Sequence, residues 1–227
     1  MTRQSLNRML RWGSLALIGS ALSAFTYCAF VLTEAWLFQK QQLHTLEVFL
    51  ADRKEAVSET ASPAVLRKPL PPVRTEGLIG RLKIKRLGLA VMVVEGADAA
   101  TLRHAVGHIP GTALPGAPGN TGLSGHRDTY FRSLEEIKQH DAIEVTTVHG
   151  VFQYRVVTIK IVPPNDVTVL ESAGTETLTL VTCHPFDFVG SAPMRFIVQA
   201  ERILPRVPSH SVRHKKLTLT PVRDEAQ

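Results

Sequence analysis

Twenty-two consecutive residues without a charge, Trp12 to Thr33 (WGSLALIGSALSAFTYCAFVLT), place the first constraint on this chain. At ~1.5 Å of rise per residue, a helix of that length crosses the ~30 Å hydrocarbon core of a bilayer. Arg3, Arg8 and Arg11 precede the run. Basic residues on that side favour a cytoplasmic N-terminus, residues 1–11, and an extracytoplasmic body. A cleaved signal peptide is the competing reading, with small residues around Ala21 to Ala24 as a weak cleavage site. The apolar run continues well past that point, however, and Trp12 and Trp36 flank it as interfacial aromatics do. An uncleaved single-pass anchor over 12–33, in the cell membrane, is therefore the expectation.

Residues 34–75 read as a stalk and a linker. Ala35 to Glu59 is rich in helix formers, with Leu43, Leu46, Phe49 and Leu50 at roughly helical spacing. Whether this helix packs on the folded domain or lies along the membrane surface is left open by the sequence. Prolines at 63, 69, 71 and 72 then break regular structure. The expectation is an extended segment that lets a domain over 76–205 stand off the bilayer. The tail 206–227 is basic and poorly patterned, a flexible segment suited to anionic lipid or wall polymer. The net charge of +6 does not indicate nucleic acid: no stacking aromatics accompany the basic clusters, and the first of them flanks the apolar run.

Between 76 and 205 the pattern is mostly β. Leu78 to Gly88 and Leu89 to Gly96 are two short apolar runs split by Gly88. Asp98 can cap a short helix that Gly107 and Pro110 end. PGTALPGAPGN must be a surface loop. Thr121 to His126 is a small-residue strand, and Ala142 to Thr147 and Val151 to Val162 flank a hairpin tip at His149-Gly150. Leu178 to Cys183 and Arg195 to Ile203 complete the set. This density of strands, with few helices and no βαβ repetition, predicts a closed or partly closed barrel of about eight strands.

Of the two cysteines, Cys28 falls in the apolar segment and cannot reach Cys183. An unpaired extracytoplasmic cysteine is either a small buried hydrophobe or a reactive thiol. Cys183 ends the run LTLVT, at a strand end where a side chain can face a cleft. A thiol of reference pKa ~8.5 needs positive charge or a base to act as a nucleophile at neutral pH. If the strands ending at Cys183 and starting at Arg195 are antiparallel neighbours, the guanidinium comes beside the thiol, and His184 to Met194 becomes a loop over the site. Among the histidines, His126 closes the strand-like run GNTGLSGH. His184 adjoins Cys183, but successive strand side chains point to opposite faces, which makes it the poorer partner. His104 and His108 have a metal-like spacing on a helix that ends too early, with no third ligand, so no metal is expected.

GNTGLSGHRDTYF followed by LTLVTCHPFDFVGSAPMRFIVQA resembles the sortases, the bacterial surface cysteine transpeptidases, and most closely their class D members. The resemblance covers about 76–203. It implies a sortase barrel without a cofactor and a catalytic set of His126, Cys183 and Arg195. Thr182, His184 and Asn120 would support the substrate pocket, while Arg127 and Asp128 would be structural. His184 stands where related sequences commonly carry an aromatic. The implied reaction is cleavage of an LPxTG-like sorting signal after threonine through a Cys183 thioester. The acyl group then passes to an amine, from a peptidoglycan precursor or a pilin lysine. Partners would be surface proteins or pilins that bear the signal. Two alternatives stand beside this: an L,D-transpeptidase, whose Ser/His-Gly-rich cysteine motif TLVTCHPF does not match, and a non-enzymatic membrane-anchored β-barrel binding module.

Overall fold

The structure, a computed structural model, describes residues 3–59, 77–172, 174–188 and 190–204. The proline-rich linker and the basic tail lie outside the described residues. Among the described residues there are eight strands: β1 (Leu78–Ile84), β2 (Leu89–Glu95), β3 (Val106–His108), β4 (Asn120–Ser124), β5 (Ala142–Thr147), β6 (Gly150–Val162), β7 (Thr177–His184) and β8 (Met194–Arg202). They close into a barrel in the order β1-β2-β3-β4-β7-β8-β6-β5, with β5 returning to β1. The expected mostly-β closed barrel is the observed architecture. Its core takes alternate residues of each strand, among them Leu82, Val91, Val93, Leu123, Val145, Tyr154, Leu178, Leu180 and Val198.

One strand escaped the sequence pattern. Gly107, read as a helix stop, lies in β3 and pairs in parallel with Val94 of β2. A Cβ there would fall 2.1 Å from the Gly96 carbonyl oxygen. The glycine is needed for close backbone approach, and a strand of three residues is too short for its alternation to register. The short helix α2 (Ala99–His104), by contrast, begins as its residues indicate. (Its number follows that of the long helix α1, Arg3–Glu59.) Asp98 accepts hydrogen bonds from the Ala100 and Thr101 N–H groups and from the Thr101 hydroxyl. These bonds, led by that of the Thr101 N–H, hold its carboxyl below the usual range.

The single helix α1 contains both the apolar run and the stalk. Its apolar window has a mean hydropathy of 2.0 and none of it is buried by protein, so by length and composition this segment is a candidate membrane anchor. Further along, the stalk docks on the barrel. Leu46 is 2% exposed and packs with Leu78, Met92, Val94 and Ala105, flanked by Phe38, Leu43 and Leu50. Gln39 donates to the His104 carbonyl at 2.6 Å and accepts from the Met92 N–H at 2.8 Å. Met92 lies one residue before the β2–β3 ladder begins, so Gln39 satisfies an amide the sheet leaves unpaired. Arg53 adds a bond to the Val148 carbonyl at 2.7 Å. The stalk thus packs on the domain, upstream of the segment that was expected to hold the domain away from the bilayer.

Candidate active site

β7 lies between β4, which it pairs in parallel, and β8, which it pairs antiparallel. Along β7, Leu178 and Leu180 join the barrel core. Thr179 and Val181 face outward, towards Val169 and Leu170 of the β6–β7 connection. Alternation puts Cys183 on that outer face. On β8, Ile197 packs in the same outer cluster and Gln199 bonds the Val169 carbonyl, so Arg195 shares the face. In register, Cys183 sits directly opposite Arg195. Cross-strand neighbours have Cβ atoms about 5 Å apart, well within the reach of a guanidinium.

His126 arrives from the other side. The β4–β7 register runs to Ser124 opposite Val181, and the Gly125 N–H to Val181 carbonyl bond (3.2 Å) carries it one residue further. His126 follows Ser124 by two residues, as Cys183 follows Val181, the last partners of that ladder. Buried Thr182 reinforces the junction by donating its hydroxyl to the Gly125 carbonyl at 2.7 Å. Gly125 is required here because a Cβ would lie 2.8 Å from the ring of Phe131, which is itself 0% exposed. Gly125→Ala is expected to cost ~1–3 kcal/mol through this overpacking. It should appear as a lowered Tm, and an unchanged Tm would show that the Phe131 ring yields freely.

His126, Cys183 and Arg195 are all partly exposed. Arg195 Nη1 donates to the carbonyls of Ala192 (3.2 Å) and Met194 (3.0 Å). Its other guanidinium nitrogens have no protein partner among the described residues and can donate to a ligand. A partly exposed thiol paired across the strands with an arginine that has free donors is an arrangement able to support nucleophilic attack on a carbonyl and stabilisation of the resulting oxyanion.

A family model of the sortase domain matches residues 82–203. The chain belongs to the sortase family. It is 38% identical to Sortase D of Bacillus subtilis (strain 168) over 125 residues, which cover 55% of this chain and 63% of that relative. Sortase SrtE1 of Streptomyces coelicolor is 32% identical over 123 residues, 46% of this chain and 35% of the relative. The chain therefore spans less than two thirds of the length of these curated relatives. A solved Clostridium perfringens sortase D5 transpeptidase superposes with a TM-score of 0.59 at 27% identity, covering 73% of this chain and 98% of that one. The class D resemblance agrees with these relatives.

In this sortase the remaining sequence candidates divide. His184 lies on the face opposite Cys183, stacked near Phe196 (centroids 6.2 Å apart) and edge-on to Phe186 (6.1 Å). There the imidazole fills an aromatic's place in a ring cluster, with Nδ1 buried and unpartnered among the described residues. Asn120 is buried and holds the β6–β7 connection, donating to the carbonyls of Val169 (3.1 Å) and Glu171 (3.4 Å) and accepting from Thr179 (2.9 Å). It pairs with Thr177 at the far end of β7 from Cys183 and acts on the shape of the outer face. His108 is buried between Glu95 (2.8 Å), Thr112 (3.0 Å) and the Ala113 carbonyl (3.1 Å), where it ties down the glycine- and proline-rich loop. Sequence reasoning passed over Val169 and Leu170, which build an apolar shelf next to the site with Val181. It also passed over Arg132, which reaches the β7–β8 connection. A turn that crosses a sheet face leaves no periodic trace in the sequence.

Proposed function

We propose that this sortase is a membrane-anchored cysteine transpeptidase that cleaves an LPxTG-like sorting signal after threonine and transfers the acyl group to an amine. In this reading the Cys183 sulfur attacks the threonine carbonyl carbon. The carbonyl oxygen takes up the displaced electron pair beside the free donors of Arg195. On collapse the carbon–nitrogen bond breaks, His126 gives its proton to the departing amine, and the acyl group stays on Cys183 as a thioester. An incoming amine then loses a proton to His126 as its nitrogen attacks the thioester carbon. The carbon–sulfur bond breaks and the Cys183 thiolate is restored.

The observation that supports the proposal is the rung of Cys183 opposite Arg195, with His126 two residues beyond the end of β4, the strand that pairs β7 on its other side. The outer shelf of Leu170 and Val181 gives the apolar residues of a sorting signal a surface beside the thiol. The substrates would be surface proteins or pilins that bear the signal. The acceptors would be a peptidoglycan precursor or a pilin lysine. The arginines before the apolar run support a site on the outside of the cell membrane.

The test uses the full chain in detergent with a library of sorting-signal peptides and mass spectrometry of the intact protein. The expected result is an adduct on Cys183 equal in mass to the peptide up to its threonine, less one water. A thiol that reacts with a generic alkylating probe, yet captures no peptide from the library, would overturn the reading.

A further inference from the structure

Among the described residues, the connection between β7 and β8 makes no backbone-to-backbone hydrogen bond to the rest of the barrel. Two arginines from the segment after His126 hold it instead. Arg127 donates Nη1 to the Pro185 carbonyl (2.9 Å) and Nη2 to the carbonyls of Phe188 (2.6 Å) and Gly190 (3.0 Å). Its guanidinium also lies 5.9 Å from the Phe188 ring centroid. Arg132 donates Nη1 to the Phe186 carbonyl (3.0 Å) and Nη2 to the Asp187 carboxylate (3.0 Å). Asp187 is 81% exposed, so that ion pair contributes little by itself. What matters is that four carbonyls of one connection converge on two planar forks, which a lysine's single ammonium could not serve in the same way.

Arg127 is the residue next to His126, and the His126 carbonyl accepts from the Phe131 N–H at 3.0 Å. The connection starts where the Cys183 strand ends and is fastened to the backbone that carries His126. The apolar shelf of Val169 and Leu170 lies along the outer face in the other direction, over Thr179 and Val181. The shelf therefore suits the acyl portion of a substrate, and the fastened rim borders the side where His126 would exchange protons with a nucleophile. We propose that Arg127, backed by Arg132, is a positioning residue that locks the β7–β8 connection to the His126 segment and thereby favours an oriented amine over water at the acyl group on Cys183.

This inference rests on the thioester reading above. Either nucleophile attacks the same carbonyl carbon, gives one proton to His126 and expels the Cys183 thiolate. They differ in that an amine on a peptide must arrive along a defined path, while water need not. Loss of a fixed rim removes that path and leaves hydrolysis.

The experiment uses the full chain in detergent, a sorting-signal peptide shown to acylate it, and two amine probes: a peptide with an N-terminal glycine and a peptide with an internal lysine. Chromatography gives the ratio of amide product to hydrolysed acid. Arg127→Ala is expected to lower that ratio about tenfold or more with the better amine, and Arg127→Lys to behave like it. Arg132→Ala should lower it by about threefold, since one carbonyl bond is lost rather than three. Acyl-enzyme formation should stay within about threefold of the unaltered chain. A product ratio does not depend on how much protein is folded, so partial unfolding cannot mimic this result. An unchanged ratio in Arg127→Ala, or an unaltered chain that only hydrolyses with both amines, overturns the proposal. Failure to form any acyl-enzyme would instead remove the reading beneath it.

Discussion

Cys183→Ala is expected to abolish both capture of the sorting-signal peptide and release of its C-terminal fragment, a loss of ~10³-fold or more to the background rate. The size follows from the chemistry: without the sulfur no covalent intermediate can form, and no other thiol lies on the barrel. Cys28 belongs to the apolar run of α1. The fold should tolerate the change, because Cys183 is only partly buried and its neighbours on the outer face are held by β4, β8 and the β6–β7 connection. The paired measurements are peptide turnover and thermal unfolding. Turnover that survives with an intact Tm would show that Cys183 is not the nucleophile.

Arg195→Ala should lower kcat/KM by ~10²–10³, the usual effect of removing one oxyanion donor from a site of this kind. Arg195 is the residue opposite Cys183 in the strand register, and its Nη1 is fixed by the Ala192 and Met194 carbonyls. Part of the side chain thus orients the rest. Arg195→Lys should recover only a small fraction of the activity, because an ammonium cannot bond the two carbonyls and donate to an oxyanion with the same geometry. A kcat/KM within about threefold of the unaltered chain in Arg195→Ala would remove Arg195 from that role. A fall in binding alone, with kcat unchanged, would make it a substrate anchor instead.

Much of the fold could be read from local pattern. Short apolar or small-residue runs bounded by turn residues marked seven of the eight strands, because each supplies a buried stretch to the barrel. β3 was missed because Val106–His108 is too short to alternate and carries a glycine that serves backbone approach to Gly96. The neighbouring positions of Cys183 and Arg195 were also accessible, since one connection joins two strands that pair antiparallel, and antiparallel pairing brings the end of one beside the start of the next. His126 was harder to place. Its approach depends on a parallel pairing between β4 and β7, strands separated in sequence by β5, β6 and the β6–β7 connection, and no local feature of GNTGLSGH specifies that partner.

The same contrast applies to the arginines. Arg127 read as structural without a partner and Arg132 was passed over, because an exposed guanidinium and one that serves three backbone carbonyls have the same sequence. The stalk is similar. Helical spacing marked Leu43, Leu46 and Leu50 as an apolar stripe but not its partner, and the Gln39 bonds that fasten it meet groups on β2 and α2 far along the chain.

By itself the sequence determined an uncharged run long enough to cross a bilayer, a β-rich domain, and a lone thiol at a strand end with an arginine at the start of the next. These are properties of short windows, in which burial and chain direction leave a period or a composition. Only the tertiary structure decided that β4 flanks the Cys183 strand on its other side, that the face to which His184 turns holds the aromatic cluster of Phe186 and Phe196, and that two arginines clasp the β7–β8 connection. Each of these depends on which distant segments share a register, and that is settled by the closure of the whole barrel rather than by any stretch of residues within it.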